Sequence, residues 1–193
     1  YDASGNTISI TLENSQSRSI ACTNLLSLTS ATDTVTLNGK TYTNAYDANI
    51  KQYTFTTPTG RKSYTTLDTL GRIASEQIDT LNAVNYGYDT KGRLTTITQG
   101  TGLDTRNYSI TYDNLNQITS ITDPVVRSLS FAYDNAGRVT QKTLSDGRVI
   151  NYSYDANGNV TSITPPSRPN HAFTYTPVDL EDSYTPPALT PPI

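Results

Sequence analysis

The apolar positions of this chain never settle into a helical rhythm. No long window places them at i, i+3, i+4 and i+7, so little or no helix is predicted. What recurs instead is a short run rich in Thr, Tyr, Ile and Val, such as "RVINYSY" or "RLTTIT", closed by a cluster of Asp, Asn and Gly. β-Branched and aromatic side chains suit a pleated, half-buried surface, whereas Asn, Asp and Gly suit turns. The pattern predicts an all-β chain of short strands.

The turns are periodic. Tyr-Asp stands at Tyr1-Asp2, Tyr46-Asp47, Tyr88-Asp89, Tyr112-Asp113, Tyr133-Asp134 and Tyr154-Asp155, and Leu67-Asp68 is a copy whose tyrosine is replaced. From Tyr46 the steps are 21, 21, 24, 21 and 21 residues. A further step reaches Tyr175 in "FTYTPVD", where the Asp and Gly are gone. The first interval, 45 residues, is roughly two periods and predicts a degenerate copy near residues 22–25. A second mark lies inside the period: Gly39, Gly60 and Gly147 each precede Tyr46, Leu67 or Tyr154 by seven residues. Two turns and two strands per period predict successive antiparallel β-hairpins of about 21 residues.

The motif is Asp-x-x-Gly. Aspartate at the first position of a type I turn accepts the backbone N–H two residues on, and a fourth residue with positive φ closes the hairpin with a bulge. Gly5, Gly71, Gly92, Gly137 and Gly158 occupy that fourth position. Asn116 replaces it in "DNLN", and asparagine tolerates the conformation next best. "DANI" at 47–50 puts Ile50 there and predicts an altered turn. The tyrosine rings, regularly placed, are expected to stack as a ladder along one face. Their companions on the outgoing strands, Leu94 with Ile97, Ile118 with Ile121 and Val160 with Ile163, are spaced by three. A regular strand puts such a pair on opposite faces, so either a bulge realigns them or both faces are partly buried.

Composition narrows the function. Only 34% of residues are apolar and 16% charged, with 14 Tyr against 3 Phe. The formal net charge is −3 and no basic cluster stands out, so nucleic acid is not an expected partner. No apolar run is long enough to cross a bilayer as a helix, and no signal peptide is visible. Because the chain opens inside its own repeat, at "YDASGN", it is expected to be a piece of a longer protein. The single cysteine, Cys22, forms no internal disulfide, and buried and inert is the expected reading.

"YDNAGRVTQKTLSDGRVINYSYDANGNVTSITPP" resembles the YD repeat of the Rhs family, whose relatives include the teneurins and the B and C components of insecticidal Tc toxins. "SRPNHAFTYTPVDLEDSYTPPAL" also resembles a segment of bacterial Rhs-type proteins. The resemblance is dense over 60–193 and thinner over 1–59. It implies a hairpin ribbon that spirals into a hollow shell. In the bacterial toxins that shell encloses a C-terminal polypeptide until delivery; in teneurins it belongs to a cell-surface adhesion receptor. It therefore implies a secreted or cell-surface location, with flanking YD repeats and an enclosed C-terminal cargo domain as partners. Residues 1–163 are expected to be the hairpin array (1–59 degenerate, 60–163 regular). Residues 164–193, with eight of the ten prolines, are expected to be a Pro-rich segment or linker of the same shell with irregular strands at most. One family feature is missing: the "DPxGL"-like motif where an aspartyl autoprotease frees the cargo. The only Asp-Pro here is Asp123-Pro124, followed by Val125.

No catalytic set, cofactor or metal site is expected. His171 is the only histidine, so no multi-histidine site can be assembled, and in "PNHAFTY" it is expected to pack or lie at the surface rather than serve a Ser-His-Asp or Cys-His set. A row of turn aspartates can in principle ligate calcium, but the alternating Asp/Asn pattern with a closing Glu is absent. Arg72, Arg93 and Arg138 follow the turn glycines and are read as partners for a neighbouring turn's aspartate. The leading expectation is a non-enzymatic shell segment. The alternative is a surface adhesion or fibre-forming repeat that binds carbohydrate or other chains by strand addition.

Overall fold

The computed structural model describes residues 29–188. They divide into two compact units, the boundary falling between Arg106 and Asn107. The first unit holds β1 (Ser30–Leu37), β2 (Lys40–Asp47), β3 (Gln52–Thr56), β4 (Lys62–Leu67), β5 (Ile73–Ile78), β6 (Val84–Tyr88) and β7 (Leu94–Gln99). Each strand pairs antiparallel with the next in sequence. A single 3₁₀ turn covers Gly102–Asp104, and no other helix occurs among the described residues.

The second unit repeats the plan with β8 (Arg106–Tyr112), all of which but its first residue lies in this unit, β9 (Ile118–Thr122), β10 (Ser128–Tyr133), β11 (Val139–Thr143), β12 (Val149–Tyr154), β13 (Val160–Thr164), β14 (His171–Tyr175) and β15 (Glu181–Thr185). Its strands also pair strictly in chain order. The chain is all-β, built from successive antiparallel hairpins.

Register separates two chemically different faces. Ile110, Ile121 and Leu129 are cross-strand partners, as are Tyr152, Ile163 and His171. Displaced by one residue, Thr111, Ser120 and Ser130 form a row, as do Ser153, Ser162 and Ala172. Successive side chains point to opposite sides of a strand, so one face is aromatic and aliphatic and the other is hydroxyl-rich. The hydroxyls largely satisfy one another: Thr111 with Thr119 at 2.8 Å, Ser128 with Ser120 at 3.1 Å and with Thr122 at 2.7 Å. No described residue is fully buried. Each unit is a single layer, and its stability comes from neighbouring hairpins rather than from a closed core.

A bulge resolves the three-residue spacing. Tyr86 faces Ile97 while Tyr88 faces Leu94, with the register shift between Gly87 and Tyr88. Tyr152 with Ile163 and Tyr154 with Val160 repeat the arrangement. Because Tyr86 and Tyr88 share a face, Leu94 and Ile97 share it too. The expectation of irregular strands at most over 164–193 is corrected for 171–185. There β14 and β15 pair over four residues with the same bulge, between Thr174 and Tyr175. Pro165, Pro166, Pro169 and Pro177 fall outside the strands, where their missing N–H removes no ladder bond.

Candidate functional site: the repeated Tyr-Asp turn

In the turn of Asp134, Asn135, Ala136 and Gly137, the Gly137 N–H donates to the Asp134 carbonyl at 3.0 Å, and the Asp134 N–H donates to the Arg138 carbonyl at 3.0 Å. Gly137 has φ 82°, which no β-carbon tolerates without strain. The carboxylate fixes the loop from inside: Oδ1 accepts from the Ala136 N–H at 2.9 Å and the Arg138 N–H at 3.0 Å. Asp68 and Asp89 are bonded in the same way by the N–H groups two and four residues on. So are Asp113 and Asp155. Backbone bonds from Arg72, Arg93 and Arg138 are the main reason Asp68, Asp89 and Asp134 sit below the ordinary carboxylate range.

The arginine after the glycine pairs with its own turn, which corrects the expectation of a neighbouring one. Nε of Arg72, Arg93 and Arg138 lies 2.7 Å from Oδ2 of Asp68, Asp89 and Asp134 respectively. A four-residue offset across the bulge brings the guanidinium back beside the carboxylate. The remainder of the guanidinium reaches forward to the next hairpin. Arg72 lies over the Tyr88 ring at 4.3 Å, and Arg138 over the Tyr154 ring at 4.7 Å. Arg138 Nη1 also donates to the Asp155 carbonyl at 2.9 Å.

The tyrosines tie each hairpin to the one before. Tyr88 donates its hydroxyl to the Ile73 carbonyl, Tyr133 to Ile118 and Tyr154 to Val139, all at 2.8 Å and all 15 residues back. Tyr175 makes the same bond to Val160 at 3.0 Å. Each acceptor opens the outgoing strand of the preceding hairpin, so these motif tyrosines bond back to that strand rather than forming the expected ring-on-ring ladder, and the Tyr88 and Tyr154 rings lie under a guanidinium. Burial holds the Tyr154 phenol above its ordinary value.

Several turns depart from the pattern. The turn after Asp47 is altered: the positive φ moves to Lys51, at 52°, and Asp47 faces Gln52 without a bulge. Asn159 replaces arginine and bridges Asp155 Oδ2 at 3.0 Å to Asp179 Oδ1 at 2.8 Å, where Asp179 sits in the glycine place with φ 60°. On the opposite edge, Asp123, Pro124, Val125, Val126 and Arg127 form the same turn, with Val126 forced to φ 64°. Only the missing glycine hides that turn in the sequence. Tyr1, Asp2 and Gly5, like Cys22, lie outside the described residues.

No group of three or more metal-ligating side chains occurs among the described residues. No described helix is long and apolar enough to cross a membrane. His171 stacks against Tyr184, its Nδ1 2.6 Å from the Tyr184 hydroxyl.

These features define a class: a hairpin-repeat protein whose recurring motif joins each unit to the next. A family model described as the teneurin YD-shell matches residues 5–180, and the chain belongs to that family. Its fold is similar to TcdB2–TccC3–Cdc42 and to TcdB2–TccC3 without its hypervariable C-terminal region. Each shows a TM-score of 0.56 at 17% identity over 86% of this chain. It is also similar to a chain of the Photorhabdus luminescens Tc holotoxin pore, with a TM-score of 0.53 at 19% identity over 86% of this chain. The chain spans 9%, 9% and 8% of those structures' own chains. No curated protein sequence matches it. It is a structural segment of a YD shell.

Proposed function

We propose that this segment is a length of non-enzymatic wall in a hollow, spiralling shell that encloses a polypeptide until delivery, in a protein that acts outside the cell that makes it. The observation that carries this is the tyrosine bond from each hairpin to the one before, repeated at 15-residue separation, which reinforces the backbone pairing between consecutive hairpins. The site chemistry fits a wall better than a catalyst. The turn aspartates use their oxygens on backbone N–H groups and arginine, leaving an ionised carboxylate with low basicity rather than a poised acid or base. The flanking repeats of the same polypeptide are the immediate partners, and the enclosed chain is the cargo.

The test is electron microscopy of the protein as its host makes it, with gel analysis of what co-purifies. A closed particle with interior density and a separate polypeptide supports the reading. An open or filamentous sheet with nothing inside overturns it.

A further inference from the structure

The groove between the β5–β6 connection and the sheet has a chemistry that the wall does not require. It is about 360 Å³ in volume and is lined among others by Thr65, Glu76, Ile78, Leu81, Val84 and Gln99. Thr65, Glu76, Val84 and Gln99 lie in one cross-strand row, on the face that also carries Tyr86 and Tyr88. Glu76 is out of character there. Eight residues after the first turn residue, the other repeats place Ile97, Ile121, Lys142, Ile163 and Tyr184. A carboxylate on a face of rings and aliphatic chains is costly unless it finds partners. One is present: Tyr86 donates its hydroxyl to Glu76 Oε2 at 2.7 Å, and that bond holds the phenol above its ordinary value. Beside the carboxylate stand two exposed aliphatic side chains, Ile78 at 47% and Leu81 at 59%.

We propose that this groove docks an extended polypeptide through a lysine or arginine side chain flanked by aliphatic residues. The stem packs on Ile78, Leu81 and Val84, and the cationic head pairs with Glu76. Charge complementarity selects this occupant, because Glu76 is the only charged side chain lining the groove. Long basic side chains cover apolar surface while delivering charge at their tip, which matches the order of groups here. Hydroxyl and amide groups of Thr65 and Gln99 border the same row and suit a peptide backbone. If the shell reading holds and this face lines the interior, the segment belongs to the enclosed chain. That assignment rests on the shell reading, whereas the groove's selectivity does not.

The test is fluorescence anisotropy on this 193-residue chain. The probe is a labelled nonapeptide, Gly-Ser-Leu-Val-Lys-Leu-Val-Ser-Gly, alongside versions with norleucine or Glu in place of Lys. The Lys probe is expected to bind, with Glu76→Gln weakening it about fivefold to tenfold. The norleucine probe is expected to be weaker and the Glu probe not to bind. Added salt should weaken the Lys probe alone. Leu81→Ser, on the exposed β5–β6 connection and outside the strand pairing, should also weaken it while circular dichroism stays unchanged. Equal binding by Glu76→Gln overturns the proposal, as does absence of binding at millimolar peptide. So does a groove filled by a second copy, seen as a dimer in sedimentation that Leu81→Ser breaks. A failed peptide titration leaves interior density by microscopy untouched, so the two readings fail separately.

Discussion

The hydroxyl of Tyr154 donates to the carbonyl of Val139, 2.8 Å away and one hairpin earlier. The donor stands at the end of an incoming strand and the acceptor at the start of the preceding outgoing one. A bond of this kind adds a side-chain tie to the β11–β12 backbone pairing between consecutive hairpins.

Removing the hydroxyl isolates its contribution. Tyr154→Phe keeps the ring under Arg138 and leaves the Val139 carbonyl without that donor. It should destabilise the chain by about 1 kcal/mol, the usual net worth of one hydrogen bond. Urea midpoints check this, and Tyr133→Phe should behave alike because its bond to Ile118 has the same geometry. An unchanged midpoint for both variants contradicts the coupling role.

Arginines with similar salt bridges should differ in effect. Arg138 is 31% exposed and serves Asp134, the Tyr154 ring and the Asp155 carbonyl together. Arg127 is 70% exposed and its ion pair is with Asp123. Arg138→Ala should cost about 1–2 kcal/mol, while Arg127→Ala should stay within about 0.5 kcal/mol, as exposed pairs do. Equal losses in chemical denaturation contradict the account.

Backbone strain gives predictions of opposite sign. Val126, a β-branched residue at φ 64°, is held where glycine belongs. Val126→Gly should stabilise by about 1 kcal/mol, the relief of strain exceeding the added chain entropy. Gly137→Val should destabilise by about 1–3 kcal/mol. An added Cβ there would stand 3.0 Å from Gln117 Nε2. Thermal melts of both variants decide the point.

Acid should loosen the turns. Asp68, Asp89, Asp123, Asp134, Asp146 and Asp155 all titrate below the ordinary carboxylate value in the folded chain, chiefly through backbone N–H bonds or, for Asp155, the Asn159 side chain. A depressed folded pKa gives stability that is fully present above the unfolded value, about 3.9, and is lost as pH falls through the folded one. Stability should therefore be flat at neutral pH and decline below about pH 4. Asp134→Asn should shallow the decline, and a flat profile down to pH 2.5 in urea titrations contradicts it.

The hairpin period was legible because turn chemistry is local: Asp134 and Gly137 act within four residues of each other. The bulge was legible as a question, since Leu94 and Ile97 cannot share a face of a regular strand. What escaped depended on offsets between hairpins. Tyr154 and Val139 are 15 residues apart, and nothing in either residue marks the other as its partner. The guanidinium of Arg138 serves two turns at once, and sequence spacing does not distinguish them. The Asp123–Arg127 turn escaped because Val126 accepts strain that pattern reading assigns to glycine. The prolines of 164–177 suggested irregular chain, yet they cluster in connections and leave β14 intact.

Hydrogen–deuterium exchange on the Tyr154→Phe, Arg138→Ala double variant tests most directly whether the motif joins one hairpin to the next. The account predicts lost protection in β10 and β11 as well as in β12 and β13, because the deleted groups reinforce the β11–β12 pairing that joins the two hairpins. Loss confined to β12 and β13 would contradict it and reduce the motif to a turn that serves only its own hairpin.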